Sequence, residues 1–206
     1  MTAKKLVQQA KVRTNTIKGS VCRIDAPSVK FSELWNAYPG GNPCDGKDKN
    51  GKPAFSDQCA IRVGVALTKV GVTFKSYPEK GKCWFKGHTD HVLRAKELAE
   101  WLKLQPFVGC TKPTDIKGRD WQERIKGKTG IIYFADYWRR KDRNGVEESH
   151  PTGDHIDLWN GSRLTTGSGE FLARLTTFGR FTLGFDSGII YSDLGKATEI
   201  LFWEIK

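Results

Sequence analysis

Two kinds of hydrophobic periodicity follow one another along the chain and limit the folds open to it. Before residue 105, apolar residues recur at three and four residue intervals in two segments, 57–70 and 89–104, as in amphipathic helices. After residue 130, short runs rich in β-branched and aromatic residues alternate with Gly and Asn. These runs are GIIYFADYW, DHIDLWNG, RLTT, GIIYSD and TEILFWEI. The order predicts an α+β fold in which N-terminal helices pack on one face of a small antiparallel β-sheet.

Local signals predict where these elements begin and end. Pro39 and the glycines after it end a short predicted helix at 31–38, and 40–53 is predicted to be an exposed loop because it is dense in Gly, Pro, Asn, Asp and Lys. Asn160-Gly161 predicts a tight hairpin turn with positive φ at both residues. The N-cap residues expected for the two longer helices are Ser56 or Asp57 and Thr89 or Asp90.

The first 30 residues are polar and lack sustained periodicity, so we interpret 1–30 as an extension laid over the surface and 31–206 as a single domain. Hydrophobic residues make up 38% of the 206 residues, which is too many for a disordered chain. No run approaches the roughly 18 apolar residues of a membrane span. Residues 1–20 also lack the apolar region of a Sec-type signal peptide.

The formal net charge of +11 favours contact with polyanions such as nucleic acid, anionic lipid headgroups or cell-wall polymers. A basic nucleic-acid-binding module is one alternative, but no helix-turn-helix, RNP-like strand or zinc finger motif occurs. A wall-binding domain that keeps its fold without activity is another. Charge alone does not choose among these classes.

Five widely spaced cysteines offer no CxxC pair, and only four histidines accompany them. The nearest grouping with metal-binding side chains is Cys83, His88 and His91, which lacks a fourth ligand and flanks a predicted helix start. The sequence therefore favours neither a metal site nor a cofactor. In an oxidising compartment, the four cysteines other than Cys59 can pair in three ways.

Cys59 is the strongest candidate nucleophile because it lies in the first turn of a predicted helix, where N–H groups and the helix dipole stabilise a thiolate. His155, on a predicted strand, is the candidate base. Asp193 is the candidate carboxylate that orients it. Asp157 is the poorer candidate, since the strand rise puts it about 6 to 7 Å from His155. Each residue also has an ordinary alternative: a buried cysteine, a surface histidine, an aspartate that ends a strand.

Several of these motifs together resemble the fourth family of type VI secretion amidase effectors, NlpC-like members of the papain-like superfamily. The similarity covers roughly 31–206 and is sharpest in FSDQCAIRVGVAL and HIDLWNG, followed by GKTGII and by YSD with its LFW strand. The resemblance implies a papain-like fold. It also implies cleavage of the bond between γ-D-glutamate and meso-diaminopimelate in Gram-negative peptidoglycan stem peptides, without a cofactor.

The resemblance further implies synthesis in the cytoplasm, type VI secretion into the periplasm of a rival cell, and a cognate immunity protein that plugs the cleft. The matching motifs give the nucleophile as Cys59 and the base as His155. In shorter relatives the acidic residue follows soon after the His-bearing strand. Asp193 is equivalent if the segment from about 162 to 187 is an insertion; otherwise Thr166, which has no carboxylate, lies across the turn.

Overall fold

The computed structural model describes residues 7–13, 21–55, 57–88, 90–139, 146, 148–165 and 194–206, and for 7–13 and 21–27 the backbone alone. Four α-helices and six β-strands occur in this part of the chain. The helices are α1 (Phe31–Ala37), α2 (Cys59–Lys69), α3 (Ala95–Lys103) and α4 (Trp121–Arg124). The strands are β1 (Val7–Arg13), β2 (Val21–Pro27), β3 (Thr114–Asp115), β4 (Gly130–Trp138), β5 (Gly153–Trp159) and β6 (Glu199–Glu204). Short 3₁₀ turns lie at Glu79–Gly81 and Leu194–Lys196.

The main sheet has the strand order β3-β6-β4-β5, and every neighbouring pair is antiparallel. β4 is central, with Ile132 opposite Phe202 of β6 and Phe134 opposite His155 of β5. Because β5 has one partner strand within the described residues, its other side lies at the sheet edge. This edge carries the candidate base.

Helices α1, α2 and α3 contribute to one core with one face of the sheet, as the periodicity predicted. Alternate residues of β4, β5 and β6 belong to this core: Ile131, Tyr133, Ala135, Ile156, Leu158, Leu201 and Trp203. Eight consecutive residues of α2, from Ala60 to Leu67, are buried, so α2 is not the one-sided amphipathic helix that its spacing predicted. Ile61 and Val65 on its other side pack in a separate cluster with Cys44. The α+β prediction is confirmed.

The opposite face of the sheet is also covered, which the sequence analysis did not predict. Trp121 of α4 packs edge-on against Phe134 and Trp159, at centroid distances of 5.0 and 5.2 Å. Side chains before β4 and after the 3₁₀ turn at Leu194–Lys196 complete this second core: Ile116, Ile125, Ala197 and Leu194 itself. The sheet is therefore a middle layer between two apolar cores.

Several local predictions differ from the structure. Residues 7–13 and 21–27, predicted to be irregular extension, pair as a separate two-stranded antiparallel sheet, β1-β2. At the predicted hairpin the positive φ is at Gly161 and not at Asn160, whose side chain accepts hydrogen bonds from the backbone of Ser162 and Arg163. The predicted GIIYSD strand and the last residue of RLTT, Thr166, lie outside the described residues.

Helix α3 begins at Ala95, six residues later than the predicted start at Thr89. Residues 91–93 pair with 81–83 instead, since Cys83 N–H donates to the His91 carbonyl at 2.8 Å and Leu93 N–H donates to the Gly81 carbonyl at 2.9 Å. These hydrogen bonds to the 81–83 segment replace the first turns of the predicted helix. Among the described residues, no helix is both long and apolar enough to cross a bilayer.

Candidate active site

Cys59 is the first residue of α2 and is half-buried. The first N–H groups of a helix have no acceptor within the helix, and they point at whatever lies before its N-terminus. The predicted position of Cys59 in the first turn is confirmed. Its thiol therefore lies where backbone donors can stabilise negative charge.

Gln58, the residue before Cys59, forms the N-cap of α2 without capping it through its side chain. The buried amide contacts a neighbouring loop instead: its Oε1 accepts from Cys44 N–H at 2.8 Å, and its Nε2 donates to the Cys44 carbonyl at 2.9 Å. This two-point contact fixes the chain where it enters α2. The cap prediction of Ser56 or Asp57 is not confirmed: Asp57 precedes the N-cap, and Ser56 lies outside the described residues.

Arg62, one turn into α2, holds the same loop from its other end. Its Nε donates to the Gly41 carbonyl and its Nη2 to Asn42 Oδ1, both at 2.7 Å. A buried guanidinium without acceptors would be costly, so these bonds tie the loop to α2. The loop is thereby fixed beside the N-terminus of α2.

His155 lies on β5, buried at the sheet edge with 4% of its surface exposed. Its ring stacks against Phe134 of β4, with ring centroids 6.4 Å apart and planes 22° apart. Just beyond Phe134 the β4–β5 register shifts, at a bulge that contains Asp136 with φ 47°. The structure brings His155 and Cys59 together, since the Cys59 side chain is close enough to the imidazole to raise its pKa.

Asp157, two residues along β5, completes a row of three interacting side chains. Its Oδ2 lies 3.4 Å from His155 Nε2, and both side chains are buried. Its Oδ1 accepts from Leu158 N–H at 2.8 Å and from the Thr165 hydroxyl. The sequence-based distance was wrong as a reason to set Asp157 aside, because the rise along a strand separates backbones, whereas two side chains on one face can converge.

The pKa of His155 reflects opposing effects. Burial lowers it, whereas the hydrogen bonds and charges of Asp157 and Cys59 raise it, and the net result is a pKa of about 9. The imidazole is therefore protonated at neutral pH when both partners are in place. Such an imidazolium can give a proton to a leaving group.

Tyr38, just after α1, was not predicted to be near the site. Burial and then the Asp157 charge raise the pKa of Tyr38 well above the ordinary value, whereas the neighbouring Thr165 side chain lowers it. Thr165 donates its hydroxyl proton to Asp157, so Tyr38 lies beside the pair formed by Thr165 and Asp157. No spacing or motif in the sequence indicates this contact, which depends on the tertiary fold.

Asp193, the sequence-based choice for the orienting carboxylate, lies outside the described residues, as does Thr166. Its role stays a prediction. Cys59 and His155 are brought together as expected, and the carboxylate beside His155 in the described part of the chain is Asp157.

A thiol at a helix N-terminus beside an imidazole and a carboxylate is the arrangement of papain-like hydrolases. A family model described as type VI secretion system (T6SS) amidase effector protein 4, Tae4, matches residues 55–203. The chain belongs to this family. The match includes Cys59, His155 and Asp157, so the whole candidate site lies within the Tae4 segment. Members of the family are amidase effectors of the type VI secretion system.

Solved Tae4 structures are similar to this chain over most of its length. Tae4 from Salmonella typhimurium, in complex with the immunity protein Tai4 from Enterobacter cloacae, is 18% identical; the match covers 85% of this chain and 98% of that chain, with a TM-score of 0.49. Tae4 from Enterobacter cloacae is 15% identical, with 86% and 96% covered and a TM-score of 0.46. No curated protein gives a significant sequence match.

A second cluster of chemically reactive side chains includes neither Cys59 nor His155. Cys83, His88 and His91, which the sequence analysis set aside for want of a fourth ligand, are joined by Cys44. The lack of a fourth ligand is not confirmed, because Cys44, in the 40–53 loop that was expected to be exposed, is buried against α2. These four residues are the ones that could hold a metal ion within the described part of the chain.

Proposed function

We propose that this Tae4 family member is a cysteine DL-endopeptidase that cleaves the γ-D-glutamyl–meso-diaminopimelate bond of Gram-negative peptidoglycan stems. The proposal depends most on one observation, the proximity of Cys59 at the start of α2 to His155 on β5. Membership of an amidase effector family supports the reaction class. The resemblance noted from the sequence motifs supports the choice of bond.

The reaction begins with Cys59 as thiolate and His155 as imidazolium. Cys59 Sγ attacks the amide carbonyl carbon, and the electron pair of the C=O bond moves onto oxygen. The Cys59 backbone N–H and the N-terminus of α2 stabilise this oxyanion. When the intermediate collapses, His155 donates its proton to the departing amine, which leaves a thioester on Cys59.

Water completes the reaction. His155, now neutral, removes a proton from a water molecule, whose oxygen attacks the thioester carbonyl. The second intermediate expels Cys59 as thiolate and releases the product acid, which gives its proton to solvent and becomes a carboxylate. His155 keeps the proton taken from water, so the imidazolium and thiolate pair is regenerated. None of these steps needs a cofactor.

Asp157 is proposed as the carboxylate that orients His155. Its Oδ2 is directed to His155 Nε2, which leaves the other ring nitrogen for the thiol. Two donors, Leu158 N–H and the Thr165 hydroxyl, hold Oδ1. A carboxylate fixed in this way stabilises one imidazole orientation throughout the cycle. Asp193 remains the sequence-based alternative.

The test is digestion of purified diaminopimelate-type peptidoglycan, with the released muropeptides read by mass spectrometry. Wild type should release fragments cut between D-glutamate and diaminopimelate, and Cys59→Ala and His155→Ala should release none. Cys110→Ala and His150→Ala are matched controls, because Cys110 is buried elsewhere in the core and His150 is exposed. Both controls should cut at the same bond as wild type.

Three outcomes would contradict the proposal. Intact peptidoglycan after incubation with wild type, under both reducing and oxidising conditions, would leave a wall-binding domain without activity. Fragments cut at another bond would keep the cysteine mechanism but change the substrate assignment. Activity retained in Cys59→Ala would place the nucleophile elsewhere.

We further propose that the chain acts in the periplasm of target bacteria and is neutralised by an immunity protein, as the complexes of Tae4 with Tai4 suggest. Expression in a Gram-negative host with an added export signal should lyse the cells, whereas expression in the cytoplasm should not. Cys59→Ala should be harmless in both compartments. Lysis from the cytoplasm alone would contradict a periplasmic target.

A further inference from the structure

Two chain segments that flank α2 bring four metal-binding side chains together. Backbone pairing of 81–83 with 91–93 sets Cys83 beside His91. The connection between them turns back so that His88 also faces this pair, with its ring centroid 4.3 Å from that of His91. Cys44 reaches the cluster from the other segment, held by Gln58.

The ligand atoms of these four residues have the spacing of a tetrahedral site. Cys44 Sγ and Cys83 Sγ lie 3.5 and 3.6 Å from His88 Nδ1. All four ligand atoms lie within 4.8 Å of one another. A tetrahedral zinc ion with ordinary Zn–S and Zn–N bonds places its ligand atoms about 3.3 to 3.8 Å apart. The cluster needs small side-chain movements to reach this geometry.

A carboxylate oxygen lies near Nε2 of each imidazole. His88 Nε2 lies 3.3 Å from Asp45 Oδ1, and His91 Nε2 lies 3.8 Å from Asp90 Oδ1. Histidines that bind zinc regularly have such a carboxylate partner, which fixes the tautomer with its lone pair on the metal side. Here the arrangement leaves Nδ1 of each ring for the metal.

His91 supplies an independent indication of a ligand. Its side chain is buried, with 6% of the residue surface exposed, and its Nδ1 has no hydrogen-bond partner among the described residues. A buried polar nitrogen without a partner is unfavourable. A metal ion bound to Nδ1 removes that cost.

We propose that Cys44, Cys83, His88 and His91 bind one Zn²⁺ through two thiolate sulfurs and two Nδ1 atoms. On binding, the two thiols release their protons to solvent while the imidazoles bind as neutral ligands. Thiolate and imidazole ligands select zinc over the hard cations that prefer oxygen. Four protein ligands leave no open position, so the zinc is structural and not catalytic. The site is separate from the proposed peptidase chemistry.

The proposed zinc site helps to fix the position of Cys59 through one residue, Gln58. The backbone of Cys44 is hydrogen-bonded on both sides by the side chain of Gln58, which directly precedes Cys59. Fixing Cys44 on zinc thus fixes the entry to α2. A disulfide between Cys44 and Cys83 is the competing state of these thiols, but it would leave His91 Nδ1 without a partner.

Cobalt titration tests the site directly. Full-length Cys59→Ala protein, in which the catalytic thiol cannot act as a ligand, is reduced, freed of metal and titrated with Co²⁺. We expect one Co²⁺ per chain, with the intense visible absorption of tetrahedral cobalt and a thiolate-to-cobalt charge-transfer band. Added Zn²⁺ should displace the cobalt and remove both signals. Zn²⁺ should also protect Cys44 and Cys83 from iodoacetamide, as peptide mass spectrometry would show.

Ligand variants localise the binding. In the same background, Cys83→Ser should lose charge-transfer intensity and His88→Ala should lose the tetrahedral spectrum. Cys110→Ser and His150→Ala should keep both signals. Asp90→Asn removes only the partner of His91 Nε2 and should weaken cobalt binding about 10-fold. The Asp90 variant keeps all four ligands, so it tests the site even where a ligand variant fails to fold.

Three results of the titration would overturn the proposal. These are no stoichiometric metal binding by the reduced Cys59→Ala protein, weak octahedral absorption without a charge-transfer band, or cobalt signals unchanged in Cys83→Ser. Isolation of the chain with a Cys44–Cys83 disulfide and no capacity for zinc after reduction would assign the cluster to redox pairing. None of these readouts involves peptidoglycan, so failure here leaves the proposed enzyme activity to its own test.

Discussion

At the scale of single residues, the protonation of His155 decides when the proposed site can work. Its pKa of about 9 keeps the imidazolium form through neutral pH, and this form protonates the leaving amine. We therefore expect kcat/KM on a stem peptide to fall as pH rises through about 9. A pH profile of wild type measures this, and an alkaline limb near the ordinary histidine value would contradict the assigned contacts.

Asp157→Asn should move that alkaline limb to lower pH, because the variant removes a negative charge that raises the pKa of His155. The reduced orientation of the imidazole should also lower kcat/KM at neutral pH by about 10- to 100-fold. The same pH profile and a thermal unfolding curve separate this effect from loss of the fold.

Asp120→Asn is the matched control, since Asp120 is exposed and pairs only locally with Arg124 at 2.9 Å. It should leave the pH profile unchanged. A normal profile in Asp157→Asn together with a shifted one in Asp193→Asn would transfer the orienting role to Asp193.

Single residues also show which parts of the site could be predicted from the sequence and which could not. Cys59 could be predicted because a helix start is visible in the apolar spacing, and His155 because a histidine on a later strand completes the papain-like order. Asp157 was set aside on its distance from His155 along the strand, which says little about where the two side chains meet. The contacts of Tyr38 and Gln58 depend on loop packing, which leaves no periodic signal.

At the scale of elements, α2 is closely packed on all sides, and Gly64 is the position where this matters most. A Cβ at Gly64 would lie 2.6 Å from the Asp90 carbonyl oxygen and 2.9 Å from Val92 Cγ2. The glycine therefore allows the segment that carries His91 to approach the nucleophile helix.

Gly64→Ala should destabilise the protein by about 1 to 2 kcal/mol, because overpacking outweighs the better helix propensity of alanine. Urea unfolding measures this. Thr68→Ala, on the exposed part of the same helix, should change stability by less than about 0.5 kcal/mol. Equal stability of Gly64→Ala and wild type would show that the 90–92 segment can yield.

Elements were predicted best where their own sequence decides them. The spans of α1, α2, β4 and β6 follow their local patterns, whereas α3 begins late because hydrogen bonds to 81–83 compete with the helix. The same competition hid the metal-binding cluster, since a helix beginning at Thr89 would not have placed His91 in an extended segment. Its fourth member, Cys44, is distant in sequence and was predicted to lie in an exposed loop.

At the scale of the whole molecule, the sheet separates two cores, and Trp121 fills the one away from α2. The indole is 1% exposed and contacts Phe134 and Trp159 edge-on. A four-residue helix thus covers a face of the sheet that would otherwise expose apolar strands.

Trp121→Ala should lower the free energy of unfolding by about 3 to 5 kcal/mol, since it removes a fully buried aromatic side chain. Denaturant unfolding provides the measurement. Trp84→Ala is the control, as Trp84 is 71% exposed, and its loss should cost less than about 1 kcal/mol. A small effect of Trp121→Ala would mean that the second core contributes little to stability.

The position of α2 between Cys44 and Cys83 has a consequence for the unfolded chain. A Zn²⁺ bound to both thiolates closes a ring of about 40 residues that contains the whole nucleophile helix. On the chain-entropy model for cross-links, a ring of that length removes about 4 kcal/mol of conformational freedom from the unfolded state. While the metal stays bound, the helix that carries Cys59 therefore searches a smaller volume during refolding than an unlinked segment of the same length.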